Sequence, residues 1–155
     1  MGDFKEDLQK GEEWERVIIR LLNDKSIFSL EQVKARPDYD LIDTKTNLKF
    51  EVKYDEMSQK TSNVAIEIGT KQNPKGLTNT RAYYWVHIWY LNESVVYNII
   101  PTHELKRFVK KFIREITISH KAGDGDATIC LVPKRVFKHW RIYGEIPRKY
   151  LTVEK

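Results

Sequence analysis

The sequence predicts one α/β domain, a central mixed β-sheet flanked by helices. Residues 38–53 alternate apolar and polar side chains on two arms joined by Thr44-Lys45-Thr46-Asn47, the pattern of a β-hairpin. Two stretches, Glu12 to Asn23 and the run beginning at Thr102, place apolar residues at helical spacing. Between them, the segments 84–90 and 95–100 are aromatic and β-branched and are separated by a short polar turn, as in the interior of a sheet. A chain of 155 residues, 41% hydrophobic and 32% charged, has the size and composition of a single soluble domain with its own core. With neither linker nor repeat, residues 1–155 are read as one unit.

Composition narrows the function classes. The net charge of +5 suits a polyanionic partner. Cys130 is the single cysteine, which excludes an internal disulfide and a four-cysteine cluster. No apolar run approaches the roughly 18 residues of a membrane span. The opening Met1-Gly2-Asp3-Phe4-Lys5-Glu6 is not a signal peptide, so the expected location is cytoplasmic, or the host-cell cytoplasm if the gene is viral.

In chain order, Trp14, Val17, Ile18, Leu21 and Leu22 form the buried stripe of the first helix, with Glu12, Glu13 and Glu15 near its positive end. Residues 24–36 read as a loop and a first strand, with Pro37 keeping Arg36 extended. Residues 54–62 read as a polar, mobile loop beside the hairpin, suited to DNA contact. Asn63 to Ile68 reads as a third strand, with Val64, Ile66 and Ile68 on one face and Ala65 and Glu67 on the other. Residues 69–80 read as a loop, where Lys71 and Lys75, with Arg81 just after it, offer phosphate contacts. A phosphate-binding loop of the Gly-Lys-Ser/Thr kind is absent.

Trp85 and Trp89 share one face of the next strand, with Tyr84, Val86 and Ile88 on the other, and His87 is read as a satisfied sheet histidine. Nothing has zinc-site spacing. Thr102 is the expected N-cap of the second helix. Lys106, Arg107, Lys110, Lys111 and Arg114 decorate that helix as a track for DNA or as a solvated face. Residues 120–126 read as a turn, 127–132 as a strand, and the basic tail around Arg148 and Lys149 as an extension of a DNA footprint.

The hairpin carries the chemistry. With its turn at 44–47, Asp43 opposes Leu48, Asp40 opposes Glu51 and Asp38 opposes Lys53, so Asp38, Asp40, Glu51 and Lys53 share a face. Leu41, Phe50 and Val52 share the other. Carboxylates at cross-strand distance repel one another. A divalent cation, Mg2+ with Mn2+ as substitute, would remove that repulsion, because hard cations prefer oxygen ligands. Lys53 stands beside them, able to orient water or offset charge on a phosphoryl oxygen. Together these groups suit metal-assisted hydrolysis of a phosphodiester, although the same pattern also fits a solvent-facing charged hairpin.

The spacing of Pro37-Asp38 from Glu51-Val52-Lys53 resembles the PD-(D/E)xK, or restriction-endonuclease-like, nuclease superfamily. The resemblance implies that an aspartate and Glu51 bind magnesium and that Lys53 assists attack by water. Asp38 carries the Pro-Asp signature; Asp40 faces Glu51 and precedes the apolar pair Leu41-Ile42, and is the favoured ligand. The run Gly11-Glu12-Glu13-Trp14-Glu15-Arg16 is similar to the start of archaeal-type Holliday junction resolvases. That likeness implies Glu15 as the helix-borne acidic ligand, with Glu12 as its alternative and Arg16 toward DNA. Residues 63–82 are similar to a segment of phage-associated members, with Glu67 as a further acidic candidate.

The resemblance covers residues 11–82. It implies a restriction-endonuclease-like domain with Glu15, Asp40, Glu51 and Lys53 as its catalytic set. The expected activity is a magnesium-dependent endodeoxyribonuclease, structure-selective at branched DNA such as Holliday junctions and acting as a homodimer. A restriction or repair endonuclease on duplex DNA and a non-catalytic DNA-binding protein on the same fold are the alternatives.

Overall fold

A computed structural model describes residues 4–33, 39–69, 76–112, 118–121, 127–140 and 142–151. The first helix, α1 (Phe4–Asp24), begins earlier than its apolar stripe alone predicts. Val17, Ile18, Leu21 and Leu22 are its buried face. Three short antiparallel steps follow: β1 (Leu30–Gln32) pairs with β2 (Leu41–Asp43), and β2 pairs with β3 (Lys49–Tyr54). Leu41 opposes Phe50, and the Asp43 amide donates to the Leu48 carbonyl at 2.8 Å, which is the register expected from the alternation. Asn47, at φ 66°, supplies the left-handed residue that closes the turn. Asp43 locks it: its carboxylate accepts from the Ser29 amide at 2.7 Å and from the Thr46 hydroxyl at 2.5 Å.

Residues after β3 do not form the mobile loop expected for 54–62. They make a 3-10 turn (Glu56–Gln59) whose Asp55 and Ser58 are buried. β4 (Asn63–Glu67) then leaves the first sheet. The chain returns as β5 (Tyr84–Leu91), parallel to β3, and turns at Asn92 (φ 57°) into antiparallel β6 (Ser94–Pro101). Helix α2 (Thr102–Phe112) starts on Thr102 itself. The Thr102 hydroxyl is buried without a hydrogen-bond partner, so the expected capping role is not realised. β7 (Ile118–Lys121), β8 (Ala127–Pro133), α3 (Lys134–Phe137), β9 (Ile142–Glu145) and α4 (Arg148–Leu151) complete the chain. His120 and Lys121 therefore belong to a strand rather than a turn, and 122–126 lie outside the described residues.

The fold is α/β, as predicted, with a mixed six-stranded sheet in the order β1-β2-β3-β5-β6-β9. The single sheet expected from sequence is nevertheless two. β4, β8 and β7 form a separate antiparallel sheet, with β4 and β7 both on β8. One core joins α1 and α4 to the first face of the large sheet through Leu41, Phe50, Val86 and Ile88. A second core joins the opposite face to the small sheet and α2 through Trp85, Trp89, Val64, Ile66 and Leu105. Each fully buried large side chain contributes about 1.5–3 kcal/mol. Sandwiched between two cores, β3 and β5 carry buried polar groups, Glu51 and His87 among them.

Candidate active site

Asp40 and Glu51 meet across the β2–β3 hairpin. The Asp40 amide donates to the Phe50 carbonyl at 2.8 Å, and Asp40 Oδ2 accepts from the Val52 amide at 2.8 Å. Glu51 is 8% exposed and accepts from the Thr80 hydroxyl at 3.2 Å. Two residues along β3, Lys53 Nζ lies 3.4 Å from Glu51 Oε2, 3.5 Å from Glu67 Oε1 and 5.8 Å from the centre of the Trp85 ring. Helix α1 brings in Glu15, whose Oε1 accepts from Gln32 Nε2 at 2.8 Å and whose carboxyl is close enough to Asp40 and Glu51 to feel their charge.

Burial and the crowding of like charges set the protonation of these carboxyl groups. Burial pushes Glu15 up to about 7, the Gln32 bond opposes the rise, and the charges of Asp40, Glu12 and Glu51 add to it. Burial, reinforced by Asp40, also pushes Glu51 up to about 7 against the pull of Lys53. Asp40 is raised by burial, with the Val52 amide and Lys53 opposing. Burial disfavours the charge of Lys53, but Glu51, Glu67 and Asp40 together hold its pKa above the ordinary value. Three carboxyl groups thus crowd around one ammonium group.

The donor set is all oxygen, which fits a hard divalent cation. Among the described residues, no three acidic, histidine or cysteine side chains form a ready-made metal cage. Mg2+ rarely uses one; it keeps several waters and is held by one or two carboxylates with substrate phosphate. Asp40 and Glu51 are the pair placed to do that.

The remaining candidates divide by position. Glu67, on the strand-end of β4, meets Lys53 directly, and Glu12 touches the site through its charge on Glu15. Asp38, Lys71 and Lys75 lie outside the described residues. Arg16 is exposed one residue beyond Glu15, and Arg81 is exposed one residue beyond Thr80. Lys106 and Lys110 stand exposed on α2, which packs on β5 and β6 rather than on the hairpin.

Two contributors are invisible in the sequence pattern. Gln32 and Thr80 are ordinary polar residues outside the hairpin, one shortly before it and one well after it, and only the packing of β1 and of the 76–80 loop brings them to the carboxylates. That loop needs Gly76. At φ +108°, a Cβ there would sit 2.7 Å from the Glu67 carbonyl oxygen. Leu77 and Thr78 amides then bond to the Glu67 and Ile68 carbonyls, which carries Thr80 to Glu51.

A second polar centre lies further along the same strand. Asp55 is buried and accepts from the Ala65 amide at 2.8 Å and the Ser58 amide at 3.2 Å, and it faces His87 Nε2 at 3.2 Å. Trp85 Nε1 donates to His87 Nδ1 at 3.1 Å. An indole N–H can only donate, so the ring proton of His87 sits on Nε2, toward Asp55. His87 is a satisfied sheet histidine, as its sequence context suggested, and the cluster ties β3, β4 and β5 together.

No helix among the described residues is long and apolar enough to cross a membrane. No family model matches the chain, and comparison with curated proteins and with solved structures finds no match to it.

Proposed function

We propose that the protein is a metal-dependent endodeoxyribonuclease that hydrolyses DNA phosphodiesters, selectively at branched DNA such as Holliday junctions. The observation that carries the reading is the crowding of Asp40 and Glu51 around Lys53, groups of opposed charge held at the β2–β3 hairpin. Like-charged carboxylates raised toward neutral pH are costly to a fold that does not use them, and such groups cluster where chemistry is done. The resemblance of Asp38, Glu51 and Lys53 to the PD-(D/E)xK nucleases supports the same reading.

In this reading Asp40 and Glu51 hold Mg2+ or Mn2+ through carboxylate oxygens. When bound, the cation supplies charge neutralisation and a lowered pKa for water. Lys53, fixed between Glu51 and Glu67, orients the attacking water or donates to a non-bridging phosphoryl oxygen as charge builds there. Glu15, held by Gln32, anchors the α1 side of the site. Thr80 and Gln32 keep two carboxylates aimed. Arg16 and Arg81 flank the set and meet flanking phosphates. Cutting both strands of a junction calls for two such sites, hence a homodimer.

The test is cleavage of matched labelled linear duplex, single strand, flap, splayed arm and four-way junction, with Mg2+, Mn2+ or chelator. Paired cuts at the junction, lost with chelator and in Glu51→Gln and Lys53→Ala, are the expected result. Metal-dependent cutting of linear duplex would move the substrate toward restriction or repair. Tight binding of DNA by folded protein without any cutting would favour a non-catalytic binding module.

A further inference from the structure

Strand β3 presents Lys49, Glu51 and Lys53 on one face, at steps of about 6.6 Å. The two lysines are held differently. Lys53 sits between Glu51 and Glu67. Lys49, among the described residues, has no carboxylate within 4 Å, and its ammonium rests 5.2 Å from the centre of the Tyr39 ring. One step before Glu51, the face of the site therefore carries a cation that no protein anion occupies.

Across the ladder from Lys49 stands Tyr83. Its amide donates to the Lys49 carbonyl and its carbonyl accepts from the Thr102 amide, both at 2.8 Å, so its backbone is pinned between β3 and the start of α2. Neighbouring strands lie about 4.8 Å apart, which puts the Tyr83 backbone about 8 Å from that of Glu51. The chain supplies a second link, because Thr80, three residues earlier, donates to Glu51. The Tyr83 ring is 44% exposed yet held: Tyr84 meets it at 4.7 Å and 86°, and His103 lies 6.2 Å away at 52°, so neither ring is stacked flat on it. His103 is exposed in the first turn of α2, whose Leu105 and Val109 share a core with Trp85, the residue beside Glu51 in the ladder. The positive end of that helix adds to the charge of Lys49. The acidic side chain of the same turn, Glu104, lines a separate cleft with Phe108 and Trp140.

A fixed, exposed aromatic ring beside an unopposed cation suits one nucleotide of a single strand, with the ring against the base and the cation on the phosphate. We propose that Tyr83, Lys49 and His103 seat the nucleotide next to the phosphate held at Asp40, Glu51 and Lys53. The proposal rests on the hydrolytic reading above and deepens it, because it names the direction in which the strand leaves the site: past Glu51 toward Lys49 and the start of α2. Only an unpaired nucleotide offers its base face to Tyr83, so the seat favours a frayed or branched strand over intact duplex. It carries no sequence code, since every base has such a face.

The test is binding in chelator, so that its outcome does not depend on cutting. The probe is a splayed-arm duplex with 5-iodouracil in one arm at the branch, and light is expected to crosslink it to Tyr83. Tyr83→Ala is expected to weaken binding about fivefold or more, the scale of one base stacked on an aromatic side chain. Tyr83→Phe, which keeps the ring, is expected to restore most of that loss, and His103→Ala to lose less than Tyr83→Ala. Lys49→Gln is expected to lower the salt slope by about one. Tyr143→Ala and Lys45→Gln are the controls and are expected to bind as wild type. Tyr143 is 37% exposed on β9 at the far edge of the sheet, and Lys45 is exposed in the hairpin turn. Where metal is added and the strand is cut, the crosslinked base is expected to be the one next to the cut.

Wild-type affinity in Tyr83→Ala with an unchanged slope in Lys49→Gln, equal losses in the two controls, or crosslinks elsewhere would overturn the seat. If those results came with metal-dependent cleavage intact, the hydrolytic reading would survive alone. Losses confined to the Tyr83 and Lys49 variants, in a protein that cuts no DNA, would uphold the seat and remove the hydrolysis.

Discussion

Two buried carboxylate centres lie along β3, and they are built oppositely. The Asp55 carboxylate has three donors, two backbone amides and His87, and the Ser58 hydroxyl donates to the Asp55 main-chain carbonyl. Glu51 has one hydroxyl and one shared lysine, and burial, reinforced by the charge of Asp40, pushes it up to about 7. The first centre welds two sheets. The second stores unfavourable charge beside Lys53. A buried carboxylate whose donors are complete is architecture; one whose donors are too few, among others like it, is poised for a ligand of positive charge.

The sharpest way to break the contrast is to truncate each centre. Asp55→Ala leaves the Ala65 and Ser58 amides and the His87 ring without their acceptor. It is expected to cost about 3–5 kcal/mol, seen in denaturant unfolding. Glu51→Gln is expected to do the reverse. In metal-free buffer at pH 8 it should stabilise the fold by about 1–2 kcal/mol while cleavage falls by about a hundredfold or more. A Glu51→Gln protein less stable than wild type would put Glu51 in the same class as Asp55.

pH sharpens the contrast. Glu15 and Glu51 are raised from 4.5 to about 7 in the fold, so the folded state favours their protonated forms. Their contribution is full below about pH 4.5 and is lost as pH rises through 7. The metal-free protein should therefore melt lower at pH 8 than at pH 5.5, and Mg2+ should return part of the difference at pH 8 but little at pH 5.5. Calorimetry across that range, repeated with Glu51→Gln, reads both effects. Asp43 acts the other way. Burial opposes its charge, but bonds from Thr46 and Ser29 hold its pKa below the ordinary range, so its contribution is lost only as pH falls into the acid range.

Gly76→Ala should come next in size, at about 1–3 kcal/mol, because a Cβ at that positive φ meets the Glu67 carbonyl. Its effect on cleavage should exceed its effect on melting if the 76–80 loop serves to aim Thr80. The smallest expected change is in the basic helix. Lys106→Ala and Lys110→Ala should leave unfolding within about 0.5 kcal/mol. Each should lower the salt slope of DNA binding by about one if α2 meets phosphate. An unchanged slope would make that helix a solvated back face.

Local pattern was enough to read the hairpin. Alternation and a four-residue polar link determined that Asp43 meets Leu48, and the same register brings Asp40 opposite Glu51 with Lys53 two residues along. Periodicity likewise determined the buried stripes of α1 and α2 and the opposed faces of β5. These are short-range properties: the period of a strand or helix assigns each side chain to a face wherever the element sits. The tertiary structure decided the rest. Whether β4 joins the first sheet or leaves it depends on its pairing with β8, more than sixty residues away. Asp55 could be read as a loop residue until β4 and β5 closed over it, and Gln32 and Thr80 carry no signal beyond being polar. Asp55 and Glu51 are equally buried, so donor count separates them, and it is set by residues distant in the chain. The order of residues determined which carboxylates could meet; the packing of α1, β1 and the 76–80 loop around them decided how much charge they must bear.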